Sequence, residues 1–275
     1  MDNLIVDVNW LKEHLNDPNL IILDSSPKSA ITGESGASNK YIPGARKFNL
    51  KEDFSDKQGE FPNTFPSIEQ FTQGVRNLGI NKDAFIIVYD NIGVYTSPRV
   101  WWMFKVMGHE SVAVLDGGLP SWLEQGNDVV DELVSDFGSG NFEASLNSSW
   151  VKSYEEILEN TTFCEFNILD ARSSGRFKGI DPEPREWLKS GAIPNSMNIP
   201  YKDVLNGTRL KPKAELEEIF AEARSSGKEI VYSCGSGLTA CIVLLAGRLA
   251  GIKSMNVYDG SWTEWAEKQG LKFNP

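Results

Sequence analysis

The sequence predicts an α/β protein made of two tandem copies of one module, each a mainly parallel sheet flanked by helices. Its length, an ordered internal repeat and the alternation of two hydrophobic periods predict it. At 275 residues the chain is long for one hydrophobic core and comfortable for two. The repeat is faint but keeps its order. LIILDSSP at 20–27 answers to NILDARSS at 167–174, and YIPGARKFNL at 41–50 to AIPNSMNIPY at 192–201. FIIVYD at 85–90 answers to EIVYSC at 229–234, and VLDGGLPSW at 114–122 to VYDGSWTEW at 257–265. Four matches in one order, offset by about 145 residues, imply a duplicated domain.

Within each half, short apolar runs bounded by Gly, Pro, Asn or Asp alternate with stretches of helical period, the pattern of a parallel sheet with crossover helices. In the first half, Ser67 followed by Gln70 resembles a capping box opening a helix through Phe71, Val75 and Leu78 that stops at Gly79. In the second, Pro212 begins a helix through Leu216, Ile219, Phe220 and Ala223 that closes near Gly227. Segment 136–149, DFGSGNFEASLNSS, has linker composition and sets the expected domains at 1–135 and 150–275.

A net charge of −11 repels polyanions, so nucleic acid is excluded as a partner and a small anionic substrate needs local cations. No apolar run approaches the length of a bilayer span, and no membrane association is expected. The start, MDNLIVDVNW, lacks the basic and apolar regions of a secretory signal, so a cytoplasmic location is expected. Cys164, Cys234 and Cys241 form an odd, sparse set without paired spacing, which argues against a disulfide framework and a zinc site. Reduced thiols are expected, with no metal and no cofactor.

The segment 229–251, EIVYSCGSGLTACIVLLAGRLAG, carries the chemistry. A β-branched strand ends at Ser233, Cys234 follows, Gly235 and Gly237 supply flexible backbone, and an apolar helix begins at Thr239. A cysteine at such a strand-to-helix turn faces main-chain N–H groups from the loop and the helix start, which stabilise a negative sulfur. Gly235, Gly237, Leu238 and Thr239 complete this binding loop, and Thr239 is placed to cap the helix. Ser236 is placed to donate a hydrogen bond to the substrate or to shuttle its proton, although a small polar residue also suits a tight turn. The competing reading of Cys234 is a small buried residue ending a strand.

CGSGLTA resembles the active-site loop of 3-mercaptopyruvate sulfurtransferases, usually CGSGVTA, with Leu238 a conservative departure. LDARSSGRFKGIDPEPRE at 169–186, the IPG and IPN turns, SPRVWWMF at 97–104 and YDGSWTEW at 258–265 are similar to the two-domain rhodanese and mercaptopyruvate sulfurtransferase superfamily. The resemblance implies two rhodanese-like domains. The first is non-catalytic, because VYDNIGV stands where the second has VYSCGSG. It further implies that Cys234 takes sulfur from 3-mercaptopyruvate as a persulfide, releases pyruvate, and passes sulfur to a thiol acceptor such as thioredoxin or a small thiol. Thiosulfate is the alternative donor. As a compact dianion it favours cations beside the nucleophile, where this loop has Gly235 and Ser236.

The segment DARSSGRFKGIDPEPRE, just after an expected strand and dense in Gly and Pro, reads as an ordered surface loop and carries Arg172, Arg176 and Arg185; guanidinium is the natural bidentate grip for a carboxylate. The resemblance assigns substrate binding to Arg176 and Arg185. Alternatively, these arginines brace the loop by pairing with Asp181, Glu183 and Glu186. His14 and His109 belong to no catalytic signature and read as structural or exposed, the tryptophans read as packing, and Cys241 reads as core. A cysteine phosphatase requires an arginine six positions after its nucleophile, where this chain has Ala240. A non-enzymatic sulfur carrier or an inactive interaction module of the same fold is the third reading.

Overall fold

Residues 4–27 and 40–273 are described by a computed structural model, which divides into two units. The first comprises residues up to Asp56, Phe65–Asn147 and Gly207–Leu210. The second comprises Lys57–Thr64, Ser148–Asn206 and the chain from Lys211 onward. Each unit contains a five-stranded sheet of the same topology. In the first unit the strands lie in the order Ile5–Val6, Val112–Leu115, Phe85–Tyr89, Leu20–Asp24 and Arg46–Lys47, all neighbours parallel. In the second the order is Val151–Lys152, Asn256–Tyr258, Ile230–Ser233, Asn167–Asp170 and Ser196–Asn198, again all parallel. The expected pair of parallel α/β domains is therefore present.

Each repeat match falls on equivalent strands. FIIVYD and EIVYSC form the central strands, and their continuous apolar composition follows from burial on both faces. Asp90 and Cys234 stand one residue past the carboxyl ends of these strands, where parallel α/β sheets gather their ligands.

The helix Ile68–Asn77 begins at Ser67, whose hydroxyl accepts from the Gln70 main-chain N–H. The expected capping box is only half formed, because the Gln70 side chain donates to the carbonyls of Asp53 and Ser55 instead. A complete box opens Tyr154–Phe163, where Ser153 and Glu156 exchange both bonds. The helix expected from Pro212 breaks at buried Phe220 into Lys213–Ile219 and Ala221–Ser225. Gly227, with φ +65°, follows the second piece.

Residues of the 136–149 segment hydrogen-bond along the first unit, Gly140 to Arg76 and Phe142 to Ile80, with Phe142 buried. Trp101, Trp102, Trp122, Trp262 and Trp265 are all buried. His109 is buried against the Ala84 carbonyl, and that burial holds its pKa below the ordinary value; His14 stacks on Trp10. Among the described residues no helix is long and apolar enough to cross a membrane, and no acidic, His or Cys cluster has the form of a metal site.

Candidate active site

Cys234 follows the central strand Ile230–Ser233 of the second unit and is 2% exposed. The segment YDGSWTEW grips its loop from the neighbouring strand end. Trp262 N–H donates to the Cys234 carbonyl at 2.9 Å, and both the Thr263 N–H and hydroxyl donate to the Gly235 carbonyl. The Ser261 hydroxyl oxygen accepts from the N–H groups of Cys234 and Gly237, each at 3.1 Å, while its proton goes to the Tyr258 carbonyl. Gly237 has φ +77° and closes the turn, a conformation that a side chain would strain. Thr239 occupies the N-cap position of Ala240–Leu249, but it is helical in backbone and its side chain makes no capping bond. The expected cap is thus right in position and wrong in mechanism.

Ser261 consumes two of the loop's donors and leaves the others. Among the described residues, the main-chain N–H groups of Gly235, Ser236, Leu238, Thr239 and Ala240 donate to no protein acceptor. The first unit shows what such a loop does with an anion. There Asp90, fully buried, takes the cysteine's place, and the chain wraps its carboxylate. Ile92 and Gly93 donate N–H to one oxygen; Tyr95, Thr96 and Ser97 donate N–H to the other, at 2.9–3.0 Å, joined by the Ser97 hydroxyl at 2.7 Å. Gly118, the counterpart of Ser261, has φ +51° against φ +52° for the serine. Leu119 N–H donates to the Asp90 carbonyl just as Trp262 does to that of Cys234.

The arginine loop divides into bracing and site-facing members. Arg172, buried and stacked on Trp262 with 4.2 Å to the ring centroid, pairs with Asp170 and Glu183. Burial alone would lower its pKa, but these two carboxylates outweigh that and hold the guanidinium above its ordinary range. Arg176 also pairs with Glu183, and its Nη2 lies 2.9 Å from the point where a Cβ on Gly235 would sit. Arg185 is half-buried and makes no side-chain hydrogen bond or ion pair among the described residues. Burial lowers its pKa, and it feels the charges of Glu183, Arg176 and Cys234. Bracing therefore runs through Glu183; among the described residues no ion pair reaches Asp181 or Glu186.

Cys241, the second residue of the helix Ala240–Leu249 and fully buried, points its thiol at the Gly237 carbonyl, in keeping with a core role. Ser236 is half-buried and held by Asn63, whose amide nitrogen lies 3.2 Å from the Ser236 carbonyl oxygen and 3.1 Å from its hydroxyl. Neither Asn63 nor Ser261 was singled out from the sequence. For Ser261 a signal existed, since it aligns with a glycine in the repeat, a hint of left-handed backbone.

Two parallel α/β units, one presenting a cysteine in a donor-lined loop and the other a carboxylate in the same place, define a duplicated anion-cradling module. The chain belongs to the rhodanese family: the rhodanese-like domain model matches residues 7–125 and again 152–268. It is 37% identical to human 3-mercaptopyruvate sulfurtransferase over 272 residues, covering 95% of this chain and 91% of that protein. It is 38% identical to mouse thiosulfate sulfurtransferase over 273 residues, with the same coverage. The crystal structure of SseA from Escherichia coli, a 3-mercaptopyruvate sulfotransferase, superposes with a TM-score of 0.84 at 33% identity, over 94% of this chain and 99% of that one.

Proposed function

We propose that the second unit is a sulfurtransferase centre, expected to lie within residues 150–275, in which Cys234 carries sulfur from 3-mercaptopyruvate to a thiol. The observation that carries this reading is the contrast between the two loops. One wraps its donors around the Asp90 carboxylate, and the other has five N–H groups in the loop after Cys234 that meet no protein acceptor among the described residues. That arrangement suits an anionic persulfide.

The Cys234 thiolate attacks the sulfur of 3-mercaptopyruvate. The carbon–sulfur bond breaks, its electron pair leaves with the carbon as pyruvate enolate, and the enolate takes up a proton. A thiol acceptor, thioredoxin or a small thiol, then attacks the outer sulfur and restores the Cys234 thiolate. Arg185 and Arg176 grip the donor's carboxylate, Ser236 contributes a hydrogen bond, and Gly235, Gly237, Leu238 and Thr239 supply the main-chain cradle. Three free cysteines fit a reducing, cytoplasmic setting.

Thiosulfate is the second donor, favoured by one observation. Arg176 beside Gly235 brings a cation closer to the sulfur than the neutral loop sequence suggests, although Glu183 offsets part of its charge. The test of the main reading is intact-mass analysis after adding 3-mercaptopyruvate. A gain of one sulfur with release of pyruvate is expected; no gain with 3-mercaptopyruvate together with a gain from thiosulfate reverses the donor order.

Arg185→Ala is expected to weaken kcat/KM for 3-mercaptopyruvate by on the order of 2–4 kcal/mol, mostly through KM, because it removes a carboxylate contact. Its guanidinium has no hydrogen-bond or ion-pair partner among the described residues, so thermal stability should stay unchanged. Unaltered kinetics in Arg185→Ala would remove it from the binding site.

A further inference from the structure

We infer that Asn63 is a positioning residue that fixes the Ser236 hydroxyl as a hydrogen-bond donor to an oxygen of the bound donor molecule, which rests on the sulfurtransferase reading above. The two residues are 173 positions apart in sequence, yet both belong to the second unit. An amide side chain has a donating and an accepting end, and a main-chain carbonyl only accepts. The Ser236 carbonyl oxygen therefore dictates that the Asn63 nitrogen faces it, and the same nitrogen reaches the Ser236 hydroxyl oxygen at 3.1 Å. With that oxygen accepting from Asn63, the hydroxyl proton is turned away from the amide. Among the described residues it has no protein acceptor. It is left for a ligand, two residues past Cys234 and next to Gly235, where Arg176 also arrives.

The chemistry at Ser236 follows. An amide takes up no proton near neutral pH, so Asn63 does not act as a base toward the serine, and Ser236 serves by hydrogen bonding rather than by passing its proton to Asn63. The acceptor that fits is a carboxylate or keto oxygen of a 2-oxo acid, held jointly with the arginines. Asparagine also suits the backbone here, since Asn63 has φ +60°, a region that few residues other than glycine occupy readily. Glycine at this position keeps the turn and removes only the amide.

The test is a double-mutant cycle between Asn63 and Ser236 with two readouts. One is kcat/KM for 3-mercaptopyruvate. The other is the ratio of Cys234 alkylation rates by iodoacetate and iodoacetamide, which senses an incoming carboxylate without any sulfur transfer. Asn63→Gly should lower both by about three- to tenfold, the size of one ordinary hydrogen bond, and should change neither when introduced into Ser236→Ala. Asn63→Asp presents only acceptors and takes the serine proton for itself. It should act more strongly than glycine, and its effect should shrink in Ser236→Ala to that of the added charge alone. Equal effects of Asn63→Gly in both backgrounds, or wild-type values in Asn63→Gly, would overturn the inference. If the wild-type protein turns over no 3-mercaptopyruvate while the alkylation cycle shows the coupling, the donor assignment fails and the role of Asn63 stands.

Discussion

Cys234→Ser is expected to lower sulfur transfer by on the order of a thousandfold or more, while Cys164→Ser and Cys241→Ser retain most of it. The difference lies in the surroundings of the three thiols. Of the three, Cys234 alone stands at the carboxyl end of a central strand before a helix start, followed by main-chain N–H groups that meet no protein acceptor among the described residues, and within the field of Arg185. Cys164 sits at the opposite pole of a helix, at the C-cap of Tyr154–Phe163 with φ +52°, where the helix dipole disfavours a thiolate. Its sulfur already accepts from the Asn195 amide at 3.4 Å. The Cys241 thiol is buried and faces the Gly237 carbonyl, a contact that a serine hydroxyl can reproduce. Intact mass after incubation with 3-mercaptopyruvate reads all three variants at once. A sulfur adduct in Cys234→Ser, or its loss in Cys241→Ser with the fold intact, would move the nucleophile elsewhere.

The parts of this site visible in the sequence are those set by local chemistry. A β-branched strand running into Cys-Gly-Ser-Gly and an apolar helix reports its geometry through periodicity and glycine placement alone, and the duplicated order of four segments reports the tandem fold. Roles that depend on a partner distant in sequence were not legible. Nothing local to Asn63 announces Ser236, and nothing in the arginine loop tells a bracing guanidinium from a binding one. Glu183 bears on that question, since it is buried and engages Arg172 and Arg176, whereas Arg185 makes no ion pair among the described residues; Arg172 is a buried brace, and Arg176 pairs with Glu183 yet also reaches Gly235. The capping bonds show the same limit. Ser67 caps as its type predicts, but the Gln70 side chain finds better acceptors in two carbonyls brought near by tertiary folding.

Asp90→Ala is expected to destabilise the first unit by on the order of 4 kcal/mol, a large effect for a single residue outside the unit that carries Cys234. The carboxylate is the common acceptor for five main-chain N–H groups and one hydroxyl, and it is fully buried. Removing it leaves donors that were built to converge on an anion, in a place where the surrounding chain offers no substitute. Gly118 stands where the second unit has Ser261, and a Cβ there would lie 2.3 Å from the Asp90 carbonyl oxygen, so no side chain can step in from that side. The second unit satisfies two of its loop donors with the Ser261 hydroxyl, and the others meet no protein acceptor among the described residues; the first satisfies its donors with a side chain of its own. Asp90→Asn tests the charge separately. It keeps one oxygen but turns an NH2 toward N–H groups, so it should fall between wild type and Asp90→Ala. Urea unfolding followed by fluorescence is the measurement, with persulfide formation at Cys234 as a separate readout of the second unit. Stability of Asp90→Ala within about 1 kcal/mol of wild type would mean that water meets these donors as well as the carboxylate does, and the comparison of the two loops would lose its force as evidence for an anion cradle at Cys234.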